Sequence, residues 1–403
     1  MKNLLEPLSL ALFVAATLLT QSAYIRTSLP ANTIIPATGP SPHFCKAIGG
    51  KNYDGGKSLI QTSDGGYAIA GFTISFGAGS GDVYVVKLDA NGNLQWTKTI
   101  GGEDWEESES LIQTSDGGYA IAGFTESFGA GGEDVYVVKL DANGNLQWTK
   151  TIGGENEDLG FSLIQTADGG YGIAGFTRSF GAGEADVYVV KLDANGNLQW
   201  TRTIGGKKLE VGVSLIQTSD GGYAIAGFTR SFGAGGLDVY VVKLDAKGNL
   251  QWTKTIGGEY FDWGSSLIQT SDGGYAIAGA TTSLGAGGLD VYVVKLDAKG
   301  NLQWTKTIGA KNENLIKSSI IQTSDGGYAI AGHTESFGAG KWDVYLVKLD
   351  KNGNACCALS QTTSQVGSGG RLRSATPSIG GGSKLTAPTP TTSSGGTLTN
   401  QCP

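Results

Sequence analysis

Histidine, cysteine and methionine are scarce in this sequence. Its 403 residues include two histidines, four cysteines and one methionine. His43 and His333 stand in unlike sequence contexts, and two such residues cannot supply a His-metal set or a Ser-His-Asp triad. The common histidine-dependent chemistries are therefore excluded, so no catalytic residue is assigned, whereas catalysis by paired carboxylates stays open.

Basic charge and helical periodicity are also lacking. The chain has 29 Lys and Arg against 36 Asp and Glu, and its formal net charge is −7. An acidic chain has no electrostatic footprint for nucleic acid and little attraction to anionic lipid. No segment keeps a helical period over even two turns, so we expect no substantial helix.

A long apolar run occurs only near the N-terminus. Lys2 precedes LSLALFVAATLL, which is followed by the small-residue pattern Gln21-Ser22-Ala23. This arrangement predicts a cleaved export signal over residues 1–24, with an uncleaved membrane anchor as the alternative. Residues 25–43 contain four prolines and are expected to form an extended spacer. We therefore expect a secreted or cell-surface protein without further membrane insertion.

Glycine, in contrast, is abundant, with 66 residues that fall at fixed places in a long repeat. The motif [SA]DGGY occurs six times, and its aspartates are 52 residues apart except for a last interval of 53: Asp64, Asp116, Asp168, Asp220, Asp272 and Asp325. Six copies at this spacing indicate a repeat architecture.

Each repeat contains four short β-type segments separated by turn sequences. In the first copy these are SLIQT, YAIAGFT, DVYVVKLD and LQWTKTI, with Asp-Gly-Gly and Ala-Asn-Gly-Asn as hairpin turns. Four antiparallel strands in about 50 residues are typical of a propeller blade. The sequence predicts an all-β, six-bladed β-propeller over residues 44–357, with a solenoid as the structural alternative.

The two ends of the repeat region predict a closed ring. The segment FCKAIGG at residues 44–50 aligns with WTKTIGG at 96–102, so the chain begins with an isolated fourth strand. The sixth copy ends where Cys357 takes the place of Trp304. An N-terminal strand that completes the sixth blade would close the ring.

The four cysteines fit this closure. Cys45 and the pair Cys356 and Cys357 meet only if the ring closes, which predicts one disulfide across the seam. The remaining seam cysteine would pair with Cys402, although sequence cannot choose the pairing and free thiols are the alternative. Residues 358–403 are rich in Ser, Thr, Gly and Pro, and we expect a disordered or loosely ordered tail.

The strings DGGYAIAGFT and DVYVVKLDANGNLQW, with an acidic residue ahead of SLIQT, resemble the secreted β-propeller repeat proteins of bacteria and archaea (SBBP-type repeats). The resemblance spans about residues 44–357 and implies the fold and export. It implies no activity, because propellers carry many functions. The second string also resembles the docking motif of quinoprotein-type propellers, but nothing marks a cofactor pocket and no cofactor is predicted.

Internal variation gathers in the loops of one face. The hairpin turns hardly change between copies, whereas the links between repeats and the links from the second to the third strand do change. These links, including the positions Glu133 and Glu184, are expected to emerge on the same face of a propeller. Their aromatic residues form a predicted ligand or partner face, with unconstrained loop drift as the alternative: Tyr53, Trp105, Phe161, Tyr260, Phe261, Trp263 and Trp342.

Acidic residues recur four positions before the serine of each first strand. They are Asp54, Glu106, Asp158, Glu210 and Asp262. We interpret them either as an acidic ring at the mouth of the central channel, able to hold a hard cation such as Ca²⁺, or as acceptors of backbone N–H groups at loop ends. The aspartates that open the third strands are predicted to fix loops.

The repeated tryptophans are predicted to pack between adjacent blades rather than to stack on sugars: Trp96, Trp148, Trp200, Trp252 and Trp304. Taken together, these features favour an extracellular binding module whose partner is a protein or a glycan. The alternatives are a carbohydrate-active enzyme with carboxylates on the variable face and a structural surface-layer or filament component.

Overall fold

The structure is a computed structural model that describes residues 44–285, 288–309, 319–335 and 343–355, and six short strands between residues 365 and 400. Every element of the described residues is a β-strand, so the all-β prediction is confirmed. The predicted export signal and spacer lie outside these residues, as do His43, Trp342, Cys356, Cys357 and Cys402. None of the described elements is a helix able to span a membrane.

After strand β1 (Lys46–Gly49), four consecutive strands form each of the first five sheets. The first sheet comprises β2 (Asp54–Gln61), β3 (Tyr67–Thr73), β4 (Asp82–Leu88) and β5 (Leu94–Gly101). The second comprises β6 (Glu106–Gln113), β7 (Tyr119–Thr125), β8 (Asp134–Leu140) and β9 (Leu146–Gly153). The third comprises β10 (Asp158–Gln165), β11 (Tyr171–Thr177), β12 (Asp186–Leu192) and β13 (Leu198–Gly205).

The fourth sheet comprises β14 (Glu210–Gln217), β15 (Tyr223–Thr229), β16 (Asp238–Leu244) and β17 (Leu250–Gly257). The fifth comprises β18 (Asp262–Gln269), β19 (Tyr275–Thr281), β20 (Asp290–Leu296) and β21 (Leu302–Gly309). The sixth sheet has three strands in the described residues: β22 (Ser319–Gln322), β23 (Tyr328–Thr334) and β24 (Asp343–Leu349). Repeated four-stranded antiparallel sheets are the organisation expected of a β-propeller.

Adjacent sheets bury one another's faces. Val83 and Val85 of the first sheet pack with Leu111 and Tyr119 of the second, and equivalent clusters form between each of the next sheets up to the sixth. All seven residues of DVYVVKL are buried in β4. The strand is covered on both faces, which explains its run of apolar residues at consecutive positions from 83 to 86. Stacking therefore supplies the core that a single sheet cannot form.

Polar contacts join the first strands of neighbouring sheets. The Leu111 backbone N–H donates to Ser58 Oγ at 3.1 Å, and the Ser63 N–H donates to Gln113 Oε1 at 2.7 Å. Both bonds recur between successive sheets because the motif SLIQT repeats. The serine and glutamine of this motif are thus inter-sheet residues.

The end of the chain adds a fifth strand to each of the first five sheets. Strands β25 (Gln365–Gly367), β26 (Arg371–Ser374), β27 (Ser378–Gly380), β28 (Lys384–Thr386) and β29 (Thr391–Ser393) pair in that order with β21, β17, β13, β9 and β5. The prediction of a disordered or loosely ordered tail is wrong for these segments. Their residues hydrogen-bond along strand edges, a property that composition does not report.

Strand β1 pairs with β30 (Thr397–Asn400) in a two-stranded sheet. Residues 46–48 and 398–400 of these strands belong to a compact unit distinct from the six sheets. Among the described residues β1 pairs with β30 and not with a strand of the sixth sheet, so closure of the ring by the N-terminal strand stays a prediction. Cys45, the cysteine that the structure describes, is exposed, and its predicted disulfide stays a prediction.

Candidate functional site

The variable loops lie together at one end of the sheets. We define the variable face as the links between sheets (residues 50–53, 102–105, 154–157, 206–209 and 258–261) with the described links from second to third strands. At the link between the first and second sheets, the Glu106 N–H donates to Gly81 O at 2.8 Å, and Gly81 forms a parallel bridge with Trp105. The predicted neighbourhood of the two kinds of link is confirmed.

Three of the predicted aromatic residues are exposed on this face. The exposed fractions are 67% for Tyr53, 61% for Tyr260 and 38% for Phe261. Tyr260 and Phe261 are consecutive in the link between the fourth and fifth sheets, where Phe261 bridges to Leu237. They form the most prominent apolar projection that the structure describes on the variable face.

The other predicted aromatics that the structure describes are partly buried and pack against neighbouring residues. The Trp105 ring packs against Phe72 with centroids 5.5 Å apart, and the Phe161 ring lies 5.9 Å from Phe176. Trp263 is half-buried. A large side chain half-covered by its neighbours is a weak candidate for the first contact with a partner.

A shallow acidic cavity of about 460 Å³ lies between the links of the third sheet. It is lined by Gly132, Glu155, Asn156, Glu157, Arg178 and Glu184. The Arg178 guanidinium binds Glu157 at 2.9 Å and lies over the Phe176 ring at 5.9 Å. The remaining carboxylates leave this cavity with a negative surface.

Glu133, next to this cavity in sequence, has an altered acidity. Burial and the neighbouring charges of Glu157 and Glu126 together raise its pKa to about 7, against the opposing charge of Arg178. Sequence variation marked this position, but its pKa depends on neighbours from other links. A carboxyl group with this pKa can hold or release a proton near neutral pH.

The acidic residues that open the first strands bind their own links. Glu106, Asp158, Glu210 and Asp262 are fully buried. Glu106 accepts from the Gly102 N–H and Thr125 Oγ1, both at 2.6 Å, and Asp54 accepts from the Gly50 N–H at 2.7 Å. Their geometry is that of loop-fixing acceptors rather than of side chains displayed at an open channel mouth.

The aspartates that open the third strands lie beside these residues and also fix loops. Oδ2 of Asp82 accepts from the N–H groups of Ala78 and Gly79, and Asp186 makes the equivalent bonds. Burial, with a smaller contribution from the charge of Glu210, raises the pKa of Asp186 to about 6 against two opposing backbone hydrogen bonds. Two carboxyl groups therefore meet inside one link.

The repeated tryptophans pack between sheets, as predicted. The ring of Trp96 meets Tyr119 of the next sheet edge-on, with centroids 5.6 Å apart. The same pair recurs for Trp148, Trp200, Trp252 and Trp304. These tryptophans are partly buried and pack against the inter-sheet core clusters.

The opposite face, formed by the hairpin turns, is uniform. Gly92 in the Ala-Asn-Gly-Asn turn has φ 76°, a left-handed conformation that favours glycine. In the other turn, Asp64 binds the buried Lys87 at 2.9 Å. Within the residues that the structure describes, no group of three or more His, Cys, Asp or Glu could hold a metal ion.

A family match now accounts for the repeated sheets. The family model described as the outer membrane protein assembly factor BamB matches residues 80–326, more than half of the chain. The chain belongs to this family. The match covers strands of all six sheets and supports a β-propeller repeat protein. It assigns no function to any residue of the variable face.

Individual relatives are distant. The chain is 26% identical over 260 residues to the regulatory protein FlaEY of Caulobacter vibrioides, a match that covers 57% of this chain. It spans about a quarter of the length of that relative.

Solved structures resemble it weakly. A protein of unknown function from Dyadobacter fermentans is 11% identical with a TM-score of 0.40, covering 74% of this chain and 96% of that one. Sqt1 from Chaetomium thermophilum is 13% identical with a TM-score of 0.38, covering 71% and 81%.

Proposed function

We propose that the protein is an exported binding module whose variable face docks a protein partner. The observation that carries this proposal is the contrast between its two faces. One face repeats the same turns in every sheet, whereas the other combines exposed aromatics, Tyr260 and Phe261, with an acidic cavity. Exposed aromatic side chains and charged groups on the same face are typical of a protein interface.

The relatives support an interaction role. The family description is that of an assembly factor, and the relative from Caulobacter is a regulatory protein. The acidic cavity favours a partner segment that carries lysine or arginine, because opposite charge steers association. A glycan remains the second ligand class, since exposed aromatic rings also stack on sugars.

A photo-cross-linking residue introduced at Tyr260 tests this function. We expect a defined cross-linked product in the native host when the probe replaces Tyr260, and none when it replaces Asn91 on the uniform face. The change Phe261→Ala should reduce the Tyr260 product at least tenfold. Equal products from both probes, or none from either, would contradict the proposal.

The enzyme alternative has one specific observation in its favour. Glu133 has a pKa of about 7, whereas Glu157 is held by Arg178, and two carboxyl groups of unlike environment are typical of acid–base pairs. Turnover of an oligosaccharide by the wild-type chain that disappears in Glu133→Gln would favour the enzyme over the binding module.

We also propose that the six sheets close into a ring. Leu59 of the first sheet is 64% exposed, whereas its equivalent Leu111 is 3% exposed against Val83 and Val85. The residues of the sixth sheet equivalent to those valines, Val344 and Leu346, are 89% and 66% exposed.

The two end faces therefore carry the apolar side chains that fill every other inter-sheet contact. Packing Leu59 against Val344 and Leu346 would bury these apolar side chains, and each would contribute about 2 kcal/mol to stability. If the end faces of different molecules joined instead, the same contact would produce a filament, which is the structural alternative.

A further inference from the structure

Four links between sheets bury a pair of carboxyl groups in direct proximity, and in two of these links an aspartate meets a glutamate. The other two links pair Asp134 with Asp158 and Asp238 with Asp262. In the link after the first sheet the pair is Asp82 and Glu106, and after the third sheet it is Asp186 and Glu210. Both aspartates are 1% exposed, and both glutamates are completely buried. Such placement is unusual for two groups that carry the same charge.

The oxygens of each pair converge beside a glycine. A Cβ built on Gly101 would lie 2.3 Å from Oδ1 of Asp82 and 2.4 Å from Oε2 of Glu106. At Gly205 the distances to the equivalent atoms of Asp186 and Glu210 are 2.0 and 2.5 Å. Glycine leaves room for both oxygens, and any side chain at this position would displace them.

Two of these carboxyl oxygens accept no hydrogen bond. Oδ1 of Asp82 and Oδ1 of Asp186 are buried without a hydrogen-bond partner, whereas the other oxygen of each group accepts from backbone N–H groups. Among the described residues, no ion pair involves any of these four carboxyl groups. The unpartnered oxygens are the ones that face the neighbouring glutamates.

Two buried carboxylates at this separation repel one another unless a positive charge neutralises them. A proton shared between them would do so, and so would a cation. Carboxylate oxygens are hard donors, and Ca²⁺ accepts them together with backbone carbonyl groups and water in irregular geometry at 2.3–2.6 Å. With two carboxylates, each link would need such neutral ligands to complete the coordination.

We propose that each of these two links binds one Ca²⁺ between its aspartate and its glutamate. The ion lies inside a link and not in an acidic ring around the central channel. It would tie the third strand of one sheet to the first strand of the next. The two bound ions would then fix the positions of two links of the variable face. This structural role is independent of whether the face docks a partner.

Calcium titration of the full-length protein after treatment with EDTA tests the proposal. Isothermal titration should detect at least two sites with dissociation constants near 10⁻⁴ to 10⁻³ M, the range of extracellular calcium modules. The double variant D82N/D186N should lose two of the sites that the wild type binds. Its matched control, D89N/D193N, changes exposed turn aspartates of the same two sheets and should bind like the wild type.

Melting in EDTA separates loss of a ligand from loss of the fold. We expect D82N/D186N to fold in EDTA and to lose the rise in melting temperature that Ca²⁺ gives the wild type. The variant E106Q/E210Q should behave in the same way. No Ca²⁺ bound by the wild type, or unchanged binding in both variants, would overturn the proposal in favour of a shared proton.

Discussion

The lysine of the third strand shows how one residue can be dictated by its repeat. Lys139 lies in an otherwise apolar strand and its side chain is 3% exposed. Its ammonium group binds Asp116 at 2.9 Å and donates to Leu140 O at 2.9 Å. Because Asp116 also accepts from the Gly118 N–H, the turn and the strand are joined through one carboxylate.

The same contacts change the acidity of Asp116. Desolvation opposes the change, but hydrogen bonds from Thr114, Lys139 and Gly118 outweigh it and lower the pKa to about 2. The folded state therefore favours the ionised form, and this contribution to stability is present above pH 4 and is lost as the pH falls toward 2.

Removal of this carboxylate should destabilise the chain. We expect Asp116→Ala to lower the free energy of unfolding by about 1–2 kcal/mol, because the buried Lys139 loses its counterion; the value is reduced because Asp116 itself is 54% exposed. Urea unfolding at pH 7 measures the change. Asn143→Ala, in the exposed turn of the same sheet, should change it by less than about 0.5 kcal/mol. Equal effects would contradict the assignment.

At the scale of elements, the added strands near the C-terminus cover exposed sheet edges. Strand β27 pairs Ser378–Gly380 with Thr203–Gly205 of β13, and four other short strands do the same for their sheets. An uncovered edge offers unpaired N–H and C=O groups to other chains. The tail thus provides each of five sheets with a fifth strand from its own molecule.

Truncation tests this role of the tail. We expect a chain that ends at residue 361 to exchange the backbone amides of Thr203–Gly205 faster and to self-associate at lower concentration, because the strand edge is open. Hydrogen–deuterium exchange and light scattering measure the two effects. Amides of the inner strand β15 should be unaffected. A truncated chain that stays monomeric with unchanged exchange at β13 would refute the role.

For the whole molecule, the main consequence of the repeat is that its two ends match. Four internal interfaces bury a leucine of one first strand against two valines of the preceding third strand, and the fifth buries Ile320 in the same place. The first and sixth sheets each carry one half of this contact in exposed form. A repeated heterologous interface closes into a ring when the rotation permits it, and otherwise extends from molecule to molecule.

Cysteine cross-linking distinguishes these outcomes. The variant L59C/V344C should form an intramolecular disulfide, identified by peptide mapping in monomeric material, because the two positions are equivalent to Leu111 and Val83. The matched control is V83C/L111C at an internal interface, where the contact is present. Cross-linked oligomers of L59C/V344C would support a filament, and no cross-link at all would show that the end faces do not meet.

The candidate site was only partly predictable. Loop variation pointed to Tyr260 and Phe261, which are exposed, but equally to Trp105, which packs on Phe72. Exposure depends on the neighbouring link, as at Phe261, which bridges to Leu237 of another link. For the same reason, the raised pKa of Glu133 could not be inferred from its own surroundings in the chain.

The strands, the hairpin turns and the inter-sheet position of residues such as Trp96 could be predicted from the chain alone, because they follow from local patterns that recur in every repeat. The folded structure was needed to reveal the edge pairing of the tail, since backbone hydrogen bonding leaves little trace in composition. It also decided that Asp82 and Glu106 meet inside one link, because their proximity arises from two strands of different sheets. Because histidine and cysteine are scarce in the sequence, carboxyl groups are the main reactive side chains of the variable face.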